Sequence, residues 1–435
     1  MALLPWYVYS VLFWFLAQLA QVISWFRPAL VPQLEGRWWT ESDWQELQSW
    51  TRRYQRRLVI FCSSAGEYEQ AKPLIARLSA LPSCGVMTII FSQSGMRFAK
   101  AQGDTLELRR ASWDFLWVWQ RFFRLLQPEV TAIVRHEIWP AFLHAAYRQG
   151  SKIFLIDAVA FDSPPRFNRL WKSYLYQFFH KICAVSVDDR QRFIDDYACL
   201  AEQVEVTGDT KYDRVFERLE ERTASRLQLE NQLDQLWPRQ RRLIIGSAWP
   251  ADVRPVLAVY ERRNELLQGW QVIIAPHELH SSMIEWLVAE CLKHSLSYEL
   301  WSELKQSGTR QPSHAKVLIV DALGILAELY GCADLAFVGG GMHHRVHNVL
   351  EPSCHSLPVC FGPLHHTSQE AKYLLARNLV TVITTENDLQ QWWFHWHQQN
   401  DLVDHQLLAE VKALCGASDR ILRMFAIVLE EWNGG

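Results

Sequence analysis

The sequence predicts two doubly wound α/β domains, with a membrane-anchoring helix ahead of the first. Three observations carry this expectation. Short β-branched apolar runs alternate with helical lengths from residue 58 to about residue 206, and a second set starts at residue 241. Such alternation marks βαβ units and parallel sheets. Between the sets, "RVFERLEERTASRLQLENQLDQLWPRQRR" is charged and free of strand-like runs, as a helical bridge would be. Ahead of both, "MALLPWYVYSVLFWFLAQLAQVISWF" carries no charge before Arg27 and exceeds the roughly 20 residues that cross a bilayer as helix. The expected architecture is two Rossmann-like domains facing a cleft. Its divisions are 1–28 as anchor, 29–215 as first domain, 216–240 as linker, 241–415 as second domain and 416–435 as a C-terminal helix.

Bulk properties narrow the function. With 435 residues, 49% hydrophobic and 21% charged, the chain is globular with large cores. A formal net charge of −3 supplies no polycation for nucleic acid. Nine cysteines without a C-x-x-C pair argue against a disulfide framework or zinc ribbon and for a reducing compartment. The 21 tryptophans suit a membrane interface as well as a core.

The N-terminal run spans the bilayer, lies in its plane, or is a buried amphipathic helix of a soluble domain. Arginines 27, 37, 52, 53, 56 and 57 follow it, which places the body on the cytoplasmic side. The first strand, "RLVIFC", ends in "SSAGEYEQAKPLI", where Glu67 falls in the first turn of a helix. There it is either a helix-cap acid or a general base. "RRASWDFLWVWQRFFRLLQPE" interleaves Trp113, Phe115, Trp117 and Trp119 with Arg109, Arg110, Arg121 and Arg124. This is a surface for an amphiphilic anion or the bilayer, or a packed helix with exposed arginines. In "VRHEIWP", Glu137 precedes a helix that Pro140 opens; it is a second cleft acid or the partner of Arg135. Lys211, in "VTGDTKYDR", can meet a phosphate or carboxylate as a point charge.

The second domain opens with "IIGSAWPADVRPV", where Ser247 lies at a strand-to-helix turn suited to anions. "IIAPHELH" puts His277 at the tip of the next strand. "AFVGGGMHHRVHNVLEP" raises three possibilities: a metal site, a phosphate cradle or a tight turn. His343 and His347 are spaced i, i+4, yet the H-E-x-x-H pattern is missing. Asn348 and Glu351 have the spacing of a capping box, so a helix is expected to begin at Asn348. Gly340 and Gly341 would then lie against its N-terminus as a phosphate cradle, with Glu351 reaching a ribose.

In order and spacing these motifs resemble the Kdo (3-deoxy-D-manno-octulosonic acid) transferases of lipopolysaccharide synthesis, which are GT-B glycosyltransferases. The resemblance runs from about residue 30 to about residue 415, through "SSAGEYEQAKPLI", "SWDFLWVWQRFFRLLQPE", "RHEIWP", "VTGDTKYDR", "IGSAWPAD", "IIAPHE" and "AFVGGG…HNVLEP…LPVCFGP". It implies an inverting transfer from CMP-Kdo to a lipid A precursor at the cytoplasmic side of the inner membrane, without metal or organic cofactor. It also implies that Glu67 is the general base and Glu137 a second cleft acid, with Ser247, His277, Asn348 and Glu351 on the donor side and Lys211 near the cleft. Three departures stand out. His277 replaces an arginine found in many members, "LIDAVAF" lacks their asparagine and arginine, and "RHE" lacks the first acid of "ETE".

Overall fold

In a computed structural model, residues 4–27, 31–102, 107–135, 137–161, 165–263, 265–306 and 312–431 are described. The chain divides into two compact units, 1–214 with 414–435, and 215–413. The first unit's strands are β1 (Arg56–Cys62), β2 (Cys84–Ile90), β3 (Glu107–Arg110), β4 (Val130–Val134), β5 (Lys152–Ala158), β6 (Lys181–Ala184) and β7 (Val204–Val206). They form one parallel sheet of order β3-β2-β1-β4-β5-β6-β7. Winding runs outward from β1 in one direction and then restarts from β4 in the other. Both faces are covered, so successive residues of β1 from Leu58 to Cys62 are buried. Val59 and Phe61 pack with Phe122 and Phe142, whereas Leu58 and Ile60 pack with Leu74 and Ile75.

The second unit repeats the plan with β8 (Arg241–Ala248), β9 (Trp270–Pro276), β10 (Tyr298–Leu300), β11 (Val317–Ile319), β12 (Leu335–Val338), β13 (Val359–Phe361) and β14 (Val380–Val382). Its sheet is also parallel, in the order β10-β11-β9-β8-β12-β13-β14. Here the winding reverses between β8 and β12. The charged stretch after β7 folds as helices Thr210–Glu221 and Thr223–Leu236.

The terminal helix Ala417–Glu431 does not extend the second unit. It returns to the first, where Ile421, Phe425 and Leu429 join the core beneath β1 and β4. Asp213 anchors the return by accepting hydrogen bonds from the amides of Gly416, at 2.5 Å, and Ser418, at 2.7 Å.

The apolar run forms a helix, Leu4–Phe26, that is long and apolar enough to cross a membrane. It lies lengthwise against the first unit. Trp6, Ser10, Ala17 and Ser24 recur on one buried face, while Leu12, Phe15, Leu16, Leu19, Trp25 and Phe26 are exposed. Two polar contacts fix its start. Ser10 Oγ accepts from the amide of Leu116 (2.9 Å), and Tyr9 donates to Asp114 (3.0 Å). Asp114 in turn accepts from the amides of Ala141 and Phe142 at the start of helix Pro140–Arg148.

Phe425 is fully buried and packs edge-on against Phe154. Replacing Phe425 with alanine should destabilise the first unit by about 3–5 kcal/mol. Chemical denaturation should show its transition moving to lower denaturant. An unchanged midpoint would mean that the terminal helix contributes no core.

Candidate active site

In an open parallel sheet, ligands bind beyond the carboxyl ends of the strands where the winding reverses. In the first unit that place lies after β1 and β4, the strands followed by Glu67 and Glu137. Ser64 caps helix Ala65–Ser79, its side chain accepting from the amide of Glu67 at 3.3 Å. Glu67 itself is 6% exposed, and its Oε2 accepts from the amide of Ser63. Burial raises its carboxyl above the ordinary value, and the charge of Glu137 adds to the shift; the Ser63 amide opposes it. Glu137 is exposed beside it. The two acids thus differ in environment, one dry and one wet, as a base and a neighbouring carboxylate would.

Lys211 is held by Asp209, with its Nζ 3.1 Å from Oδ2 and its amide 2.9 Å from Oδ1. Asp209 also meets Arg135 at 3.2 Å and Gln70 at 3.3 Å. Arg135 does not pair with Glu137; its Nε donates to Gln70 instead. Arg135 and Asp157 both have left-handed backbones, with φ of 66° and 51°. Such strain costs about 1–3 kcal/mol per residue and collects at functional sites. Burial, followed by the charge of Asp209, raises the Asp157 carboxyl to about 7.

In the second unit the reversal lies after β8 and β12, the strands that lead to Ser247 and to Gly340 and Gly341. Ser247 is left-handed (φ 53°), at a slip in register between Gly246 and Ala248. Four rings cluster here. Trp249 stacks on His277 with centroids 5.1 Å apart, His277 stacks on His347 at 4.2 Å, and His343 tilts against Trp249 at 5.2 Å. Trp249 Nε1 donates to His347 Nε2 at 3.2 Å, so that nitrogen is already engaged. Burial, then His277, lowers the His347 pKa to about 4.

The glycine loop differs from expectation in two ways. First, the helix begins at Leu350 rather than Asn348 and has only five residues. Asn348 accepts from the amide of Leu350 (3.0 Å) in a local turn, and no side chain caps the helix. So short a helix supplies little dipole. Second, the loop amides face inward. Gly340 donates to Asp252 Oδ2 at 2.8 Å and Met342 to Oδ1 at 3.3 Å. The amides of His343 and His344 donate to the carbonyl of Gly340. Asp252 therefore occupies the place expected for a phosphate. The glycines serve close approach: a Cβ on Gly340 (φ 87°) would stand 2.2 Å from the carbonyl oxygen of Arg345, and one on Gly341 2.7 Å from the amide of Gly362.

Glu351 is mostly buried and lies 3.6 Å from Arg218, beside a small cavity lined by Val215, Leu219, Ala327 and His355. Burial raises its pKa, and Arg218 opposes the rise. Sequence reasoning passed over Asp252, Asp209 and Asp157. Only Asp252 left a local signal, an acid three residues after Trp249 and two after Pro250, at the start of a helix.

Residues 37–214 match the family described as 3-deoxy-D-manno-octulosonic-acid transferase (Kdo transferase). That segment of the chain is thus similar to the Kdo transferases. A 3-deoxy-D-manno-octulosonic acid transferase of Chlamydia muridarum is 30% identical over 283 residues, covering 61% of this chain and 60% of that protein. The Haemophilus influenzae protein of that name is 25% identical over 315 residues, covering 70% of each chain. The alignments thus span about 60% of the length of the Chlamydia muridarum and Chlamydophila psittaci relatives. Among solved structures, a UDP-GlcNAc 2-epimerase from Neisseria meningitidis has a TM-score of 0.60 at 12% identity, covering 86% of this chain and all of that one. A glycosyltransferase from Rickettsia africae has a TM-score of 0.51 at 10% identity, covering 86% and 99%. The two-sheet fold is GT-B.

Asp252→Ala should free the Gly340 and Met342 amides. A hydrogen bond to a charged group is worth roughly 1.5–3 kcal/mol, so their hydrogen exchange should accelerate by about tenfold or more. Unchanged exchange would mean that the loop holds itself without Asp252.

Proposed function

We propose that this chain is an inverting glycosyltransferase that moves Kdo from CMP-Kdo to a lipid A precursor. The observation that carries the reading is Glu67, a dry carboxylate at the reversal point of the first sheet, in the segment that matches the family. Glu67 takes the proton of an acceptor hydroxyl. The oxygen then attacks the anomeric carbon from the face opposite the phosphate, and the bond to CMP breaks. A raised pKa suits a base that works near neutral pH. Burial holds that pKa up, and the exposed Glu137 carboxylate adds to it. Lys211 lies at the same edge as a cation for an anionic substrate. On the donor side, His277 belongs to the ring cluster at the second reversal, Ser247 stands at the end of β8, and Asn348 and Glu351 follow the glycine loop. The loop at Gly340 and Gly341 contributes through its shape and through the side chains it presents, since Asp252 holds the Gly340 amide.

A second reading, a GT-B transferase for another nucleotide sugar, is favoured by that same occupied loop and by His277 in place of an arginine. A GT-B protein that only holds lipid or nucleotide is the non-catalytic version. Release of CMP from CMP-Kdo with a lipid A precursor as acceptor distinguishes the three. Glu67→Gln should lower this turnover by about a hundredfold or more; turnover within a few-fold of the parent would reject Glu67 as base. The acidic limb of the kcat/KM profile should lie above the ordinary glutamate value of about 4.3. Removing the neighbouring negative charge with Glu137→Gln should move it to lower pH. A limb that stays put would detach Glu137 from Glu67.

We also propose that helix Leu4–Phe26 lies in the plane of the inner membrane's cytoplasmic surface. Its polar contacts and small residues face the protein, while its large apolar residues face outward. A helix buried by one face against its own domain suits the interfacial boundary better than a span. Leu16→Glu with Leu19→Glu should shift the protein from the membrane fraction to the soluble fraction without changing its melting temperature. Retention in the membrane at high salt would reject this face as the anchor.

A further inference from the structure

Two arginines in the first unit are buried without a carboxylate. Arg37 is 4% exposed and Arg110 is 8% exposed. Among the described residues, neither forms an ion pair. Arg37 donates to the carbonyls of Gln33 (2.8 Å) and Phe91 (3.3 Å), and its guanidinium lies over the rings of Phe91 and Trp113. Arg110 donates to the side-chain oxygen of Gln93 at 2.7 Å and to the carbonyl of Gln33 at 3.1 Å. Arg37 Nη1 and Arg110 Nε are buried with no acceptor. Burial, followed by the charge of Arg110, lowers the Arg37 pKa to about 10. The carboxylate of the exposed Glu35 acts on Arg110 from a distance without pairing with it. Two like charges whose direct hydrogen-bond partners are all neutral oxygens are costly to bury, and an anion bound to both would remove much of that cost.

Three features surround the pair. Gln93, half-buried, is the first residue of helix Gln93–Ala101, so the positive end of that helix points at the same place. The position is at the carboxyl ends of β2 and β3, and β2 is the immediate neighbour of β1, which leads to Glu67. Gly95 of that helix is packed so close to the helix of Glu67 that an added Cβ would stand 3.0 Å from the amide of Ala65. On the other side, Trp113 and Trp139 meet Phe13 of helix Leu4–Phe26, whose outer face is apolar.

We propose that Arg37, Arg110 and the start of helix Gln93–Ala101 form a subsite for a phosphate group carried on the amphiphilic acceptor, one strand away from Glu67. The neutral oxygen of Gln93 holds the Arg110 fork until the phosphate displaces it. This inference rests on the proposed transfer reaction for the identity of the acceptor, but the anion site itself can be tested without turnover.

Gln93→Glu is the informative variant, because it supplies an internal carboxylate to the pair from a half-buried position. Inorganic phosphate should raise the melting temperature of the parent. Gln93→Glu should have a higher melting temperature than the parent and no further response to phosphate. With CMP-Kdo and the phosphorylated acceptor in detergent, the variant should show an acceptor KM raised about tenfold, with kcat within twofold and CMP binding unchanged. With the dephosphorylated acceptor, parent and variant should have equal KM. A lower melting temperature for Gln93→Glu, or no response of the parent to phosphate, would overturn the anion site. An unchanged KM for the phosphorylated acceptor, together with weaker binding to vesicles containing anionic phospholipid, would overturn its assignment to the acceptor in favour of a bilayer head group. A parent that binds phosphate but never releases CMP would sink the transfer reaction and leave the anion site standing.

Discussion

A parallel sheet whose winding reverses beside one strand leaves a gap at that strand's carboxyl end, and both units of this chain are organised around such a gap. Crossover helices on neighbouring strands leave for opposite faces there, so no backbone fills the space between them. β1 with β4, and β8 with β12, make the two gaps. Glu67, Glu137 and the glycine loop each follow one of these four strands, and Ser247 lies at the end of β8. Three left-handed non-glycine residues, Arg135, Asp157 and Ser247, sit at or just beyond the carboxyl ends of β4, β5 and β8. Strain gathers where the chain must turn sharply to present side chains beyond the sheet.

Around this frame, buried carboxylates are satisfied mainly by backbone amides. Asp114 takes the first amides of helix Pro140–Arg148, Asp213 those at the start of the returning C-terminal helix, and Asp252 those of the glycine loop. Each converts a charge that would be costly to bury into a fastener between segments distant in sequence. Arg37 and Arg110 break the pattern. Their charges meet aromatic faces and neutral oxygens instead, which sets them apart from the arginines that pair with acids at the surface, such as Arg109 with Asp43 and Glu46. Charge that the fold leaves uncompensated is charge a ligand can meet.

The N-terminal helix illustrates how one element serves two environments. Seven-residue spacing of Ser10, Ala17 and Ser24 keeps its inner face small, so it lies close to the first unit. Its outer face is made mostly of large apolar side chains such as Leu12, Phe15, Leu16 and Leu19. The aromatic contacts of Phe13 connect that face to Trp113 and Trp139, and through them to Arg37 and the edge of the sheet.

The sequence by itself determined the two α/β units, the alternation of strands and helices, the apolar N-terminal helix and the position of Glu67. Each of these rests on local periodicity or on turn chemistry, and both are written in neighbouring residues. Glu67 was legible because a serine cap and a strand end bracket it within four positions. The glycine run was legible as a close approach but not as to what approaches it. Asp252 lies some ninety positions earlier, and only the packing of β8 beside β12 brings its carboxylate to the amides of Gly340 and Met342. Asn348 misled for a related reason. A cap and an acid three residues on describe a helix start only if the chain remains free to wind, and here the helix is just five residues, Leu350–Cys354. The return of Ala417–Glu431 to the first unit, and the meeting of Arg37 with Arg110, are likewise matters of tertiary structure. Both depend on contacts between residues far apart in the chain, where periodicity carries no information.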